Sequence, residues 1–235
     1  LYRRSFLMKL ETIQKTLKNK SLRKEFAIIT NLKNGDSEIF TPGVNLTGVF
    51  SKYTNEINEL FNSNKNSLIE NSEIFVQTFK NPIKVIVVGA VHISTYLTDY
   101  AKNLDFEIII IDPRGYFASR ERFPFTNIIN KWPNEAFKEI ETNQRTALVA
   151  LTHDPKIDDP ALQYALKNKF FYIGALGSKK THEKRCSRLI DAGFEKADVE
   201  LINGPIGIKL GGKSPSEIAL SIISQLVSEK YKNKF

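Results

Sequence analysis

The stretch from residue 84 to residue 112 constrains this chain more than any other. Residues 84–89 read Lys-Val-Ile-Val-Val-Gly. This is a β-branched apolar run without polar alternation, as expected of a parallel strand buried on both faces. Residues 92–103 place Ile93, Tyr96, Leu97, Tyr100 and Ala101 at helical spacing. Residues 106–112 form a second apolar run that ends on Asp112. Strand, helix and strand of these lengths predict a βαβ crossover. Asp112 follows Gly89 at close to the ~20-residue spacing at which an acid meets a dinucleotide ribose. The loop itself departs from that pattern. Gly89, Val91 and Ser94 stand where Gly-x-Gly-x-x-Gly has its glycines. A branched side chain at the second place should obstruct backbone approach to a pyrophosphate. NAD(P) is therefore expected to bind weakly, and an NAD(P)-binding oxidoreductase-like protein is the alternative reading.

The alternation continues down the chain. Residues 146–152 and 170–175 read as further buried strands, and residues 116–123 as a short turn or helix. Helices are expected over 134–142, 158–167 (introduced by Asp158, Asp159 and Pro160), 178–192 and 214–230. The last carries a capping box, Ser214 with Glu217. Upstream, residues 6–19 and 56–62 are helical in pattern. Residues 26–31, 37–41 and 73–79 are strand-like, and Asn81-Pro82 breaks the chain. The expected class is α/β: a Rossmann-like, mainly parallel sheet with helices on both faces over 82–235, preceded by a small α+β module over 1–81.

Net charge is +8, but the lysines are spread along the chain and interleaved with asparagine. That distribution reads as a solvated surface rather than a nucleic-acid face. The lone Cys186 excludes an intramolecular disulfide and a multi-cysteine zinc site. No apolar run has membrane-spanning length, and a reducing, cytoplasmic compartment is expected.

Ligands of such sheets bind beyond the carboxyl ends of the strands. Those ends read Gly89-Ala90-Val91-His92, Asp112-Pro113-Arg114, Thr152-His153-Asp154 and Gly174-Ala175-Leu176-Gly177-Ser178. His92, Asp112, Arg114, His153, Asp154 and Ser178 are expected to share one rim, suited to a phosphorylated heteroaromatic ligand. Ser178 opening a helix supplies an anion site in backbone N–H groups. No ligand pair has zinc-motif spacing, so no metal site is assigned.

Together the segments VIVVGAVHIS (85–94), IIIIDPRGYFASRERFP (108–124), ALVALTHDPKIDDPALQYAL (147–166), YIGALGSKKTHEKRCSRL (172–189) and PIGIKLGGKSPSEIALSIISQLV (205–227) resemble the C-terminal Rossmann domain of the xanthine dehydrogenase accessory factor family (XdhC/CoxI). The resemblance implies a chaperone without turnover of its own. Such a protein holds the molybdenum cofactor (molybdopterin) during sulfuration and delivers it to a molybdenum hydroxylase such as xanthine dehydrogenase. Partners implied are that client, a cysteine desulfurase and a second copy in a homodimer, with no nucleic acid and no membrane. The cofactor-binding residues implied are Gly89, Ala90, His92, Asp112, Arg114, Thr152, His153, Asp154, Gly174, Gly177 and Ser178, with no catalytic residue. Val91 departs from the family's Gly-Ala-Gly-His loop. Residues 1–81 lack the glycine-rich stretch usual in the family's N-terminal region, so a shortened or divergent member is expected.

Overall fold

The structure, a computed structural model, describes residues 9–22 and 24–232. They fall into two compact units, one ending at Asn81 and one beginning at Pro82.

The first unit contains α1 (Leu10–Ser21), β1 (Phe26–Asn31), β2 (Ser37–Phe40), a 3-10 turn over Gly48–Tyr53, α2 (Thr54–Asn62), β3 (Ser67–Leu68) and β4 (Ile74–Phe79). Its sheet is antiparallel in the order β2-β1-β4-β3. β4 alternates as its sequence predicts: Ile74, Val76 and Thr78 are buried, and the residues between them are not. Ile74 and Val76 pack with Ala27, Ile29, Ile57 and Phe61 in one core. The helix expected over 6–19 is seen from Leu10; residues 6–8 lie outside the described residues. Of its apolar positions, Leu10, Ile13 and Leu17 are exposed, and Thr12 is the residue it buries.

The second unit runs β5 (Ile83–Val88), α3 (His92–Ala101), β6 (Phe106–Ile111), β7 (Asn127–Ile129), α4 (Pro133–Ala136), β8 (Ala147–Ala150), α5 (Pro155–Lys167), β9 (Tyr172–Ala175), α6 (Lys179–Asp191), α7 (Lys196–Val199), β10 (Ile202–Asn203) and α8 (Pro215–Lys232). The six strands pair in parallel in the order β10-β9-β8-β5-β6-β7. That is the doubly wound order with its switch point between β5 and β8. From Val85 to Val88 β5 is apolar because both its faces are covered. Ile86 and Val88 belong to the core that α4, α5, α6 and α7 cover, whereas Val85 and Val87 belong to the core covered by α3 and α8. Each such side chain contributes about 1.5–3 kcal/mol on full burial.

Residues 116–123 form a series of turns, one of the two forms expected. Local detail departs from the sequence pattern in three places. The helix expected over 134–142 stops after Ala136, where Lys138 and Glu139 bond three residues back instead of four. β7 and β10 were not expected, being too short to show a period. Finally, α5 begins at Pro155, three residues before the expected start. Asp154 is its N-cap, accepting from the Lys156 N–H, so Pro160 falls inside the helix. There it removes a backbone donor and crowds the carbonyl one turn back. Pro160→Ala is therefore expected to raise stability by about 1 kcal/mol or more. Urea denaturation checks this, and an unchanged or lower midpoint would contradict it.

Candidate functional site

All six strands point the same way, so the loops after β5, β6, β8 and β9 emerge on one edge of the sheet. α3 and α5 leave the switch point towards opposite faces. The Gly89 backbone, at φ +114°, lies so close to the β8 loop that an added Cβ would stand 2.9 Å from Thr152 Cγ2. Gly89 and Ala90 are engaged inside the fold. The Gly89 N–H donates to the Ile111 carbonyl, and its own carbonyl accepts from Ser94 Oγ at 2.5 Å. The Ala90 N–H donates to Asp112, and the Ala90 carbonyl accepts from Arg122 Nη1 at 2.7 Å.

Asp112 is fully buried. Its two oxygens accept four hydrogen bonds, from the N–H groups of Ala90 and Arg114 and from Nε and Nη2 of Arg114, at 2.8–2.9 Å. Burial is the largest single influence on this carboxyl and pushes its pKa up. The Arg114 guanidinium, the two N–H groups and the Arg114 charge together outweigh it and hold the pKa below the ordinary carboxylate value. A ribose would find this acid closed off. The Arg114 side chain keeps 39% of its surface exposed and also lies over the Phe117 ring.

A second buried acid organises the next loop. Asp158 on α5 accepts from Thr152 Oγ1 at 2.6 Å, from the Thr152 N–H and from the His153 N–H. Burial pushes its pKa up. These bonds hold His153 at φ +62°, a left-handed conformation that non-glycine residues seldom adopt. The β8 loop is thus turned by Asp158, whose role was not read from the sequence.

The eleven residues singled out from the sequence separate by location. His92 at the start of α3, Arg114, His153 and Ser178 retain exposed or half-exposed side chains on the rim. Ser178 caps α6, accepting from the Thr181 N–H. Asp112, Thr152 and Asp154 tie the loops together. Gly177, at φ +144°, brings the chain past Thr181. Gly174 lies inside β9, buried, where an added Cβ would stand 2.6 Å from Ile206 Cδ1 and the Tyr172 hydroxyl. Its lack of a side chain makes room for packing and not for a ligand. Val91, where the dinucleotide loop has glycine, takes φ −85° and caps α3 with no side-chain hydrogen bond, leaving the first N–H groups of that helix open.

Arg185, on the face of α6 that also buries Leu189, was not singled out as a site residue. It is 2% exposed. Nη2 donates to the Leu176 carbonyl at 2.8 Å, and Nε and Nη1 have no hydrogen-bond partner among the described residues. Its position one turn after Thr181 and one before Leu189, on an otherwise strongly charged helix, is the signal that marks it. Cys186 is half-buried, 3.5 Å from His182 Nε2, and burial keeps its thiol above the ordinary pKa.

Residues 85–226 match the model of the XdhC Rossmann domain. The chain belongs to this family. Among curated relatives, a probable xanthine dehydrogenase subunit of Bacillus subtilis is 25% identical over 162 residues, covering 68% of this chain and 47% of that protein. The molybdenum cofactor insertion chaperone PaoD of Escherichia coli is 34% identical over 103 residues, covering 44% of this chain and 32% of PaoD. This XdhC-family chain thus spans about half or less of the length of the curated relatives it matches. A crystal structure described as a xanthine dehydrogenase from Bacillus halodurans superimposes with a TM-score of 0.74 at 20% identity, over 95% of this chain and 65% of that one. That likeness concerns the fold. Among the described residues no helix of this XdhC-family chain is long and apolar enough to cross a membrane.

Proposed function

We propose that this XdhC-family chain is an accessory protein of a xanthine dehydrogenase-type molybdenum hydroxylase. In this role it binds the molybdenum cofactor on the strand-end rim and delivers it to the client. Family membership and the likeness to a named cofactor insertion chaperone support this reading. The structural observation that carries it is the sealing of Asp112 by Arg114. The acid that would hold a dinucleotide ribose is spent, while the uncapped start of α3 and the cations beside it still present donors. Such a donor set fits a pterin bearing an anionic phosphate. It disfavours the NAD(P) oxidoreductase alternative.

In this role the first N–H groups of α3, Arg114, His92 and His153 line the rim along which the pterin lies, and Ser178 orders the neighbouring helix start. Thr152, Asp154, Gly89, Ala90, Asp112 and Gly177 keep the loops in place. When bound, the cofactor supplies the redox chemistry of the client, and the chain supplies binding, orientation and protection. Handing on a sulfurated cofactor calls for a cysteine desulfurase and the client hydroxylase as partners.

The test is anaerobic titration of molybdopterin and of NAD into the full chain. Molybdopterin should bind and NAD should bind at least about tenfold more weakly, a difference of about 1.4 kcal/mol. His92→Ala, at an exposed position, should weaken molybdopterin binding about tenfold, corresponding to one hydrogen bond. Absence of molybdopterin binding under reducing conditions would refute the assignment.

A further inference from the structure

Between the starts of α5 and α6 lies a pocket of ≈ 280 Å³ whose lining includes His153, Ser178, Lys180, Lys184, Arg185 and Arg188. It is open and strongly cationic, and Asp158 is the carboxylate in its lining. That carboxyl is turned inward to the β8 loop by Thr152 and His153. Arg188 is held by a fork from Nε and Nη2 to Asp159 at 2.6 and 2.9 Å, which ties α6 to α5 across one side of the pocket.

The unusual member is Arg185. A buried guanidinium ordinarily has its donors paired, because each unsatisfied one costs its full desolvation penalty. Here Nε and Nη1 have no hydrogen-bond partner among the described residues, although the side chain is 98% removed from solvent and lines the pocket. Asp158 acts on it through charge without reaching ion-pair distance. At the same place α6, 13 residues long, begins. Helix geometry leaves the N–H groups of Lys179 and Lys180 without intrahelical acceptors. Two independent sets of donors, one backbone and one a buried side chain, therefore meet in one small cavity.

We infer that this pocket is a phosphate site that takes the terminal phosphate monoester of a larger ligand, with Arg185 as its buried anchor. The volume is at the lower limit of small-molecule sites, about 300–1,000 Å³. It suits a phosphoryl group with the atoms adjoining it, the rest of the ligand lying outside along the strand ends. Lys180 and Lys184 add attraction from the exposed side, and Ser178 orders the helix start without using the first two N–H groups. The identity of that larger ligand rests on the cofactor reading above. The phosphate site itself does not.

The test uses inorganic phosphate and pyrophosphate as probes on the full chain, read by thermal melting and calorimetry. At about a hundredfold excess over its Kd, phosphate should raise the wild-type midpoint by roughly 5–10 °C. Arg185→Met should weaken phosphate binding by about ten- to a hundredfold and largely remove that shift. It should also raise the midpoint measured without phosphate, because an apolar side chain of similar length replaces a buried charge with unmet donors. A merely structural arginine would give the opposite sign. If Arg185→Met does not fold, Lys180→Gln with Lys184→Gln carries the test through exposed residues, and unchanged phosphate affinity there would overturn the site. A phosphate shift of equal size in wild type and Arg185→Met, or none in wild type, would also overturn it. Phosphate binding lost in Arg185→Met, without molybdopterin binding to wild type, would leave this site standing and remove the cofactor reading. Molybdopterin bound equally by wild type and Arg185→Met, with no phosphate shift in wild type, would remove this site and leave the cofactor reading standing.

Discussion

Arg114→Ala is expected to unfold at a midpoint roughly 6–12 °C below wild type, from a loss of about 3 kcal/mol. The sequence alone suggests an exposed rim arginine whose loss would leave stability nearly unchanged. The structure reverses that expectation. Arg114 donates from Nε and Nη2 to an acid with no solvent exposure. Removing one partner of a buried pair typically costs about 3–5 kcal/mol. The Ala90 and Arg114 N–H groups remain on Asp112 and the arginine is partly exposed, which places the loss at the low end. The folded pKa of Asp112 lies below its unfolded value. Its stabilisation is therefore present above the unfolded value of about 3.9 and is lost as pH falls through the lower folded value. The gap between wild type and Arg114→Ala should be widest near neutral pH and should narrow below about pH 4, where protonation relieves the unpaired acid in the variant. Adding Asp112→Asn to Arg114→Ala should cost much less than the two single losses together. Equal midpoints for wild type and Arg114→Ala at pH 7 would show that the pair contributes nothing.

Gly89→Ala should be at least as damaging, by about 4 kcal/mol. Its φ of +114° lies in a region that costs an L-residue roughly 1–3 kcal/mol. The new methyl would also stand 2.9 Å from Thr152 Cγ2 and 3.2 Å from the Thr152 backbone nitrogen. Overpacking of this kind adds about 1–3 kcal/mol. The side-chain part is separable: Thr152→Ser removes Cγ2 while keeping the hydroxyl that donates to Asp158. Gly89→Ala with Thr152→Ser should recover part of the loss but not all, because the dihedral strain and the backbone contact persist. Chemical denaturation of the three variants reads this directly. A Gly89→Ala protein as stable as wild type would mean that the two switch-point loops are not held this close.

The architecture was legible because it depends on local pattern. Residues 85–88 and 108–111 are apolar on both faces, as strands of a parallel sheet covered on two sides are. The Ser214–Glu217 capping box of α8 also appears as read, with Glu217 accepting from the Ser214 N–H and hydroxyl. Short elements were not legible: β10 has two residues, fewer than any hydrophobic period needs. The start of α5 was misplaced because Asp154 and Asp158 both suit an N-cap, and only the fold decides that one caps the helix while the other turns inward.

For the rim, the sequence by itself determined which residues follow the strand ends, since parallel strands in alternation with helices send those loops to one edge. Charge partnership was decided by tertiary structure. Asp112 and Arg114 lie two positions apart and read equally well as two ligand contacts. Burial of the carboxylate against the Ala90 N–H makes them a structural pair. Gly174 reads as a ligand-facing glycine at the end of a strand, but Ile206, distant in sequence, fills the space beside it. Arg185 reads as one more cation on a charged helix. Removal of its guanidinium from water, with two nitrogens left unbonded, follows only from how α6 packs against the sheet. Hydrogen-bond partnership and desolvation depend on contacts between distant parts of the chain, and local sequence periodicity does not encode them.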